Sequence, residues 1–375
     1  MINGNNFNSP KGELRILVAP LDWGLGHATR CIPIINELIL LNCAVYIAAS
    51  GSNYFLLKKE FPTLAILHAP GYNIKYSGKK RWLAFKLAVQ FPHIIFLIWK
   101  ENKWVKKIVS DYSIDAVISD NRFGMHSKKI PSVYITHQLV IKTGHTFSEK
   151  LLQKLHYRYI KKYHTCWIPD GKENGLAGEL SHQENLPFNI SYLGPLSRFE
   201  RLTDLPKMYD ILISISGPEP QRTIFEKIIL FELQTSDKRI LFVRGLPGEK
   251  RVPEIKRESI KIVNHLSAFE LNEAFQQSEI IISRSGYTTV MDLVKLEKNA
   301  ILVPTPGQTE QEYLSRYLKD KKYFYSVDQV NFSLETVLAE AVNFPFIKPK
   351  SSFTGYKKII NEFVQSLKTG NIAHQ

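Results

Sequence analysis

The segment from Ile280 to Leu318 constrains the fold more than any other part of the chain. An apolar run, IIISR, is followed by the small-residue turn SGYTT, a short helical pattern and a second apolar run, AILVP. Short apolar strands that alternate with helices are typical of a parallel β-sheet covered on both faces. The pattern therefore predicts an α/β fold in which a strand delivers the chain to an exposed helix N-terminus.

The turn at Gly286 predicts an anion site. The first N–H groups of a helix lack intrahelical partners and carry partial positive charge, so a phosphate or diphosphate is a natural ligand. Glycine lets the backbone approach such a ligand closely. The hydroxyls of Ser285, Thr288 and Thr289 can cap the helix or donate to phosphate oxygens. Asp292 shares their helical face and can accept from a ribose diol, or it only complements the helix dipole.

The runs SGYTTVMD and VPTPGQTEQEYLS resemble the donor-nucleotide signature of glycosyltransferase family 28, which includes the MurG-type N-acetylglucosaminyltransferases. The resemblance covers the C-terminal half and, more loosely, the first forty residues. It implies the GT-B fold, in which two Rossmann-like parallel-sheet domains face each other across a cleft. It also implies a UDP-sugar as co-substrate bound by the second domain, an acceptor bound by the first, and no metal or other cofactor.

A chain of 375 residues exceeds one ordinary core and suits two domains. We predict an acceptor-binding domain over residues 1–197, a donor-binding domain over 198–345, and a C-terminal helix over 346–375 that packs back on the first domain. The first dozen residues are polar and are expected to be disordered, without the apolar core of a signal peptide. Cys31, Cys43 and Cys166 share no metal-like spacing and are predicted to be buried free thiols of a cytoplasmic protein.

The formal charge of +14 points to an anionic partner. No nucleic-acid-binding motif is present, so a phosphorylated substrate or an anionic membrane surface ranks above nucleic acid. Residues 81–104 are aromatic, with basic ends, but polar residues interrupt them and they cannot span a bilayer. We predict two helices broken at Pro92. Their aromatic residues either pack under the sheet or dock on anionic lipid and meet a lipid-linked acceptor.

Near the N-terminus, the strand patterns LRILVA and AVYIAAS flank the loop PLDWGLGHATR and predict a βαβ unit. A helix is expected over Cys31–Leu41, with Pro33 in its first turn. The loop lacks the third glycine of a dinucleotide-binding fingerprint. The resemblance implies that it faces the cleft, with Gly26 at the donor. The base that accepts the acceptor proton is then His27 or Asp22, and a loop or capping histidine is the alternative.

Two further strand patterns end in polar residues. IDAVISD ends in Asp120, and SVYITHQ ends in His137 and Gln138. Ligands of an open parallel sheet gather at the carboxyl ends of its strands, so all three are predicted to face the cleft. The resemblance implies that they bind the acceptor there. A capping role for Asp120 is the alternative. Gln138 stands where the family has an acid and cannot act as a base.

The other predicted donor contacts follow from the resemblance. Arg198 would reach the donor phosphates, and Ser216 and Gly217 would form a second phosphate-type turn. Arg244 and His265 would border the base. The amides of Gln308 and Gln311 would bind sugar hydroxyls or phosphate oxygens. The full predicted donor set is Gly26, Arg198, Ser216, Gly217, Arg244, His265, Ser285, Gly286, Tyr287, Thr288, Thr289, Asp292, Gln308 and Gln311.

The sequence thus predicts a metal-independent, inverting transfer of a hexose or N-acetylhexosamine from a UDP-sugar to a hydroxyl of an acceptor that is lipid-linked or phosphorylated. Inversion is implied by the resemblance. Two alternatives stay open: a UDP-sugar epimerase or hydrolase of the same fold, and a non-catalytic nucleotide-sugar-binding protein that docks on membranes.

Overall fold

The computed structural model describes residues 13–72, 80–142 and 146–370. The N-terminal dozen expected to be disordered lies outside these ranges. Within them the chain forms two α/β units, each built on a parallel sheet. Both sheets consist of apolar strands such as Ile16–Ala19, whose side chains are fully buried on both faces. Burial on both faces is why these strands read as continuous apolar runs in the sequence.

The first sheet has seven parallel strands in the order β3-β2-β1-β4-β5-β6-β7. Its strands are β1 (Arg15–Pro20), β2 (Ala44–Ala49), β3 (Ala65–His68), β4 (Ala116–Asp120), β5 (Ser132–Ile135), β6 (Thr165–Ile168) and β7 (Ile190–Tyr192). Its helices are α1 (Gly26–Leu40), α2 (Gly51–Glu60), α3 (Lys80–Asp111) and α4 (Thr146–Ile160), with a 3₁₀ turn at Gly178–Leu180.

The second sheet has six parallel strands in the order β10-β9-β8-β11-β12-β13. Its strands are β8 (Tyr209–Ser214), β9 (Ile240–Val243), β10 (Ile260–Val263), β11 (Ser278–Ser283), β12 (Asn299–Leu302) and β13 (Tyr325–Ser326). Its helices are α5 (Gln221–Glu232), α6 (Ala268–Gln277), α7 (Tyr287–Lys295), α8 (Thr309–Asp320) and α9 (Leu334–Val342), with a 3₁₀ turn at Gln329–Asn331. In each sheet the strand order changes direction beside the strand that comes first in the chain, β1 or β8. Open parallel sheets bind ligands at this point.

The two units are in contact through α1 and α7. A final helix, α10 (Gly355–Thr369), leaves the second unit and packs against α1 and β7. Phe363 of this helix meets Trp167 of β6 edge-on, with ring centroids 5.3 Å apart. The chain therefore returns to the first sheet at its C-terminal end.

Three local predictions were wrong. Helix α1 begins at Gly26, so Pro33 lies in its interior and not in its first turn. Helix α3 is continuous through Pro92, where two helices were expected. A proline inside a helix removes one hydrogen bond and bends the helix without having to end it. Strand β5 ends at Ile135, so His137 and Gln138 lie in the loop beyond it.

The aromatic residues of α3 divide between two environments. Phe96 and Trp99 stack on each other and are more than half exposed, at 54% and 57%. Trp104 packs against the buried cluster beneath β1 and β4. The side chains of Trp82, Phe85 and Phe91 lie outside the described set. None of the helices in the described ranges combines the length and the hydrophobicity that crossing a bilayer requires.

The three cysteines are buried free thiols, as predicted.

Candidate active site

The loop that follows β1 meets the N-terminus of α7 at Gly26. The hydroxyl of Thr288 donates to the carbonyl oxygen of Gly26 at 3.0 Å. A Cβ atom at position 26 would lie 3.2 Å from that hydroxyl oxygen, so glycine permits this close approach. The contact sets the predicted phosphate turn of the second unit directly beside His27 of the first.

His27 is the second residue of α1 and contacts a buried carboxylate. Its Nδ1 lies 3.0 Å from Oδ1 of Asp120, at the carboxyl end of β4. Asp120 is fully buried, and it also accepts two hydrogen bonds from the guanidinium of Arg30. Arg30 lies one helical turn beyond His27, and its Nη2 is 2.9 Å from the same Nδ1. The side chains of His27 and Arg30 therefore converge on one carboxylate.

The electrostatics of this cluster keep His27 neutral. Burial, followed by the charge of Arg30, lowers the pKa of His27 despite the opposing effect of Asp120. Burial alone would raise the pKa of Asp120, but Arg30 and His27 outweigh it and hold that pKa well below its usual range. Asp120 can only accept and Arg30 can only donate, so Nδ1 forms a hydrogen bond with one of them; in the tautomer that donates Nδ1–H to Asp120, the lone pair is on Nε2. In the described part of the chain, nothing forms a hydrogen bond to that Nε2.

The surroundings of Asp120 differ from those of an exposed acceptor contact. Its carboxylate has no exposed surface and is bonded to Arg30 and His27, a geometry that suits it to orient the His27 ring. Asp22, the other candidate base, makes its hydrogen bonds elsewhere: one oxygen accepts from the Ser50 hydroxyl at 3.2 Å and from the Tyr72 amide at 3.0 Å.

His137 and Gln138 contact the carboxylate of Glu310, which no local sequence pattern indicated as a site residue. Nε2 of His137 lies 2.8 Å from Oε1 of Glu310, in the first turn of α8, and the Gln138 amide donates to the other oxygen. The ring of His137 also stacks on Tyr287 at 4.3 Å. Burial tends to raise the pKa of Glu310, but His137 and Arg30 lower it. In this arrangement the two predicted acceptor residues are in contact with the second unit.

The N-terminus of α7 keeps its backbone amides uncapped by any described side chain. Gly286 is its N-cap residue, and a Cβ added there would meet open space. The Ser285 hydroxyl donates to the Gln311 carbonyl, and the Tyr287 hydroxyl to the Pro169 carbonyl. Thr288 donates to Gly26, so two of the three hydroxyls expected at the phosphate, those of Ser285 and Thr288, donate to backbone carbonyls in this structure. The groups of the predicted anion site are then the backbone amides of the turn and the hydroxyl of Thr289, which is half-buried.

Asp292 and Arg198 lie together behind this turn. Asp292 is 6% exposed and accepts from the Ser197 hydroxyl at 2.6 Å. Burial raises the pKa of Asp292 to about 6, although Arg198 opposes the shift. Nε of Arg198 is buried without a hydrogen-bond partner among the described residues. Burial, Lys59 and Arg198 lower the pKa of His265 to about 4, which places His265 beside the same guanidinium.

Some of the remaining predicted donor residues form ion pairs or hydrogen bonds within the second unit. Arg244, predicted to border the nucleotide base, forms an ion pair with Glu226 at 2.6 Å and donates to the carbonyl of Arg251. The Gln311 side chain accepts from the Thr305 amide and donates to Gln308.

The second predicted turn, at Ser216 and Gly217, precedes α5. Gly217 has a φ of +116°, a backbone conformation that favours glycine. Thr305, whose buried hydroxyl has no described partner, lies 3.7 Å from where a Cβ of Gly217 would be. Among the described residues, no group of three or more His, Cys, Asp or Glu side chains is arranged to hold a metal ion.

Comparisons with known proteins bear on the fold and on the family that this chain resembles. Residues 229–368 match the model of the glycosyltransferase family 28 C-terminal domain. The UDP-N-acetylglucosamine--N-acetylmuramyl-(pentapeptide) pyrophosphoryl-undecaprenol N-acetylglucosamine transferase of Haemophilus influenzae is 26% identical over 66% of this chain and 69% of its own length. The enzyme of the same name from Bacillus cytotoxicus is 23% identical over 87% of this chain and 88% of its own length.

Solved structures show the fold. A spinosyn forosaminyltransferase superposes with a TM-score of 0.59 at 12% identity, covering 94% of this chain and 95% of that one. MurG from Acinetobacter baumannii superposes with a TM-score of 0.52 at 12% identity, covering 95% of each chain. The predicted GT-B fold and the predicted resemblance to family 28 are both confirmed, and the chain is a glycosyltransferase.

Proposed function

We propose that this chain, a GT-B glycosyltransferase of the family 28 type, transfers a hexose or N-acetylhexosamine from a UDP-sugar to a hydroxyl group. The names of the Haemophilus and Bacillus relatives specify UDP-N-acetylglucosamine as donor. That sugar nucleotide is therefore the first donor to assay.

One observation carries the proposal: the His27–Asp120 pair lies beside the uncapped N-terminus of α7, across the boundary between the two units. Nε2 of His27 accepts the proton of the acceptor hydroxyl as its oxygen bonds to the anomeric carbon. The bond from that carbon to the diphosphate breaks in the same step, which inverts the anomeric centre. Asp120 then stabilises the imidazolium that has formed.

The departing diphosphate gains negative charge and needs positive groups. The free amides at Gly286 lie at the positive end of the α7 dipole, and Arg198 supplies a full charge behind them. In this scheme Asp292, which is buried beside Ser197, accepts from the ribose. No metal ion takes part in any of these steps.

His137 and Gln138 are proposed to bind the acceptor once Glu310 releases them. Glu310 occupies their polar atoms in this arrangement, so acceptor entry requires either its displacement or a shared hydrogen-bond network. Exposed Phe96 and Trp99, with Lys103 5.6 Å from the Trp99 ring, are consistent with an acceptor held at an anionic membrane surface.

The test is an assay with UDP-N-acetylglucosamine, with and without hydroxyl acceptors of the glycolipid class, in which UDP release and products are followed by mass spectrometry. Acceptor-dependent release with a glycosylated product supports the proposal. Release of UDP without an acceptor would indicate a hydrolase. Conversion of the sugar nucleotide to another one, without release of UDP, would indicate an epimerase. His27→Ala should abolish turnover but keep UDP binding, whereas the control His182→Ala, in a different loop, should retain both.

A further inference from the structure

The first unit contains a second polar cavity, of about 980 Å³, that is remote from the cleft. Its walls come from the end of α3, the loop before β5, the segment after α4 and the residues before β7. Ser132, His164 and Asn189 stand at or just before the first residues of β5, β6 and β7. The cavity therefore lies at the amino ends of these strands. The cleft residues Asp120 and His137 lie at the carboxyl ends, on the opposite edge of the parallel sheet.

The cavity is strongly and uniformly basic. None of the residues that line it is acidic. Five of them are lysines, contributed by three separate segments of the chain: Lys106, Lys128, Lys129, Lys161 and Lys162. In the described ranges, the ion pairs made by lysines involve other residues, and no carboxylate pairs with any of these five. Within the described ranges, no ion pair therefore relieves their mutual repulsion.

His126 lines the cavity together with lysines from three segments of the chain. His126, on its wall, has its pKa lowered to about 4 by burial and then by Lys162, Lys106 and Lys128. These three lysines line the same cavity as His126 and come from three different segments of the chain. Burial, Arg158 and Lys106 also lower the pKa of Lys162. An anion placed among them would stabilise all of these charges at once.

We infer that this cavity is a binding site for a compact, multiply charged phosphate anion, separate from the sugar-nucleotide cleft. The volume falls in the range of small-molecule sites, roughly 300–1,000 Å³. Lysine ammonium groups bind adjacent phosphates as point charges. Phe188 and Pro187 add an apolar wall beside them, which suits a phosphate ester with a non-polar part. Three inward-converging segments around a concavity favour a small polyanion over a flat membrane surface.

The probe is inorganic tripolyphosphate, added to the full chain and followed by isothermal titration calorimetry. The triple variant Lys106→Gln, Lys128→Gln and Lys162→Gln should bind it at least about tenfold more weakly than the unsubstituted chain, because charge-assisted contacts are lost. The matched control removes three exposed lysines of the second unit, Lys227→Gln, Lys256→Gln and Lys261→Gln. It has the same net charge and should bind as the unsubstituted chain does.

Several results would overturn the inference. One is that the unsubstituted chain does not bind tripolyphosphate. A second is that the two triple variants bind tripolyphosphate with equal affinity. Another is sedimentation with vesicles containing phosphatidylserine that depends on the cavity lysines, which would assign the cavity to a membrane surface. If the cavity variant does not fold, the pair Lys129→Gln and Lys161→Gln repeats the test with the other two lysines that line the cavity. Because neither variant touches the cleft, transferase activity and this site can fail independently.

Discussion

Replacing Asp120 by asparagine separates the stability of the His27 cluster from its chemistry. Asparagine keeps the shape of the side chain but removes the negative charge that faces Arg30 and His27. Asp120 is fully buried and Arg30 is 2% exposed, so the guanidinium is left without a counter-ion in a poorly solvated site. Breaking one side of such a buried pair typically costs about 3–5 kcal/mol of unfolding free energy.

The catalytic effect of Asp120→Asn should be larger than its structural effect implies. Without the carboxylate, nothing favours the proton on Nδ1 of His27 or stabilises the imidazolium. A positioned general base contributes typically about 10²–10⁴-fold, so kcat should fall by that factor. UDP affinity should change little, because the α7 turn is not altered.

The pH dependence of the same variant provides a second readout. Asp120 has a lowered pKa in the folded protein, so its stabilising effect is present above its unfolded pKa of about 3.9 and is lost as pH falls through the folded value. The stability gap between the variant and the unsubstituted chain should therefore be constant near neutrality and shrink in acid. Asp120 also raises the pKa of His27, so the acid limb of kcat should move to lower pH in the variant.

Glu101→Gln is the matched control. Glu101 and Arg122 form a fully buried pair in the same unit, 2.7 Å apart. Loss of the Glu101 charge should lower the unfolding free energy, measured by urea denaturation, about as much as Asp120→Asn does. It should leave kcat of the folded fraction unchanged. Full activity in Asp120→Asn, or an equal loss of kcat in both variants, would refute the orienting role of Asp120.

Three other substitutions test the remaining contacts. Asp292→Asn should weaken UDP binding by about 1–3 kcal/mol. The unsubstituted chain should lose UDP affinity as pH falls below about 6, and the variant should not. Isothermal titration calorimetry at several pH values measures both effects. Thr288→Val should lower the unfolding free energy by about 0.5–1.5 kcal/mol, whereas Thr288→Ser, which keeps the hydroxyl facing Gly26, should not; equal denaturation curves would contradict the contact. Glu310→Gln should speed hydrogen exchange at the start of α8 and around His137, and unchanged rates would mean that this carboxylate does not hold the two units together.

The sequence predicted the elements whose signal is local. Apolar runs of strand length, the turn at Gly286 and the loop at Gly26 each show in a few adjacent residues, and the structure forms a strand, a helix N-terminus and a close contact there. The fold followed because such elements alternate regularly along the whole chain.

The partners of the polar side chains could not be predicted in the same way. Asp120 and Arg30 are 90 residues apart, and His137 and Glu310 are 173 apart, so only the tertiary fold brings them together. Arg30 had one local signal, its position one turn after His27. That signal was missed because the helix was expected to begin at Cys31, which placed both residues in a loop.

The same limit applies to the hydroxyls of the α7 turn. Their residue types were suited to phosphate, but neighbouring backbone carbonyls accept from Ser285, Tyr287 and Thr288. A donor group in sequence does not reveal which acceptor the fold supplies.

A crystal structure with UDP-N-acetylglucosamine bound would test the central claim most directly. The account predicts diphosphate oxygens within hydrogen-bond distance, about 2.7–3.2 Å, of the backbone amides that begin α7 at Gly286, with the anomeric carbon facing Nε2 of His27. A nucleotide bound away from that turn, or a sugar that faces away from His27, would contradict it.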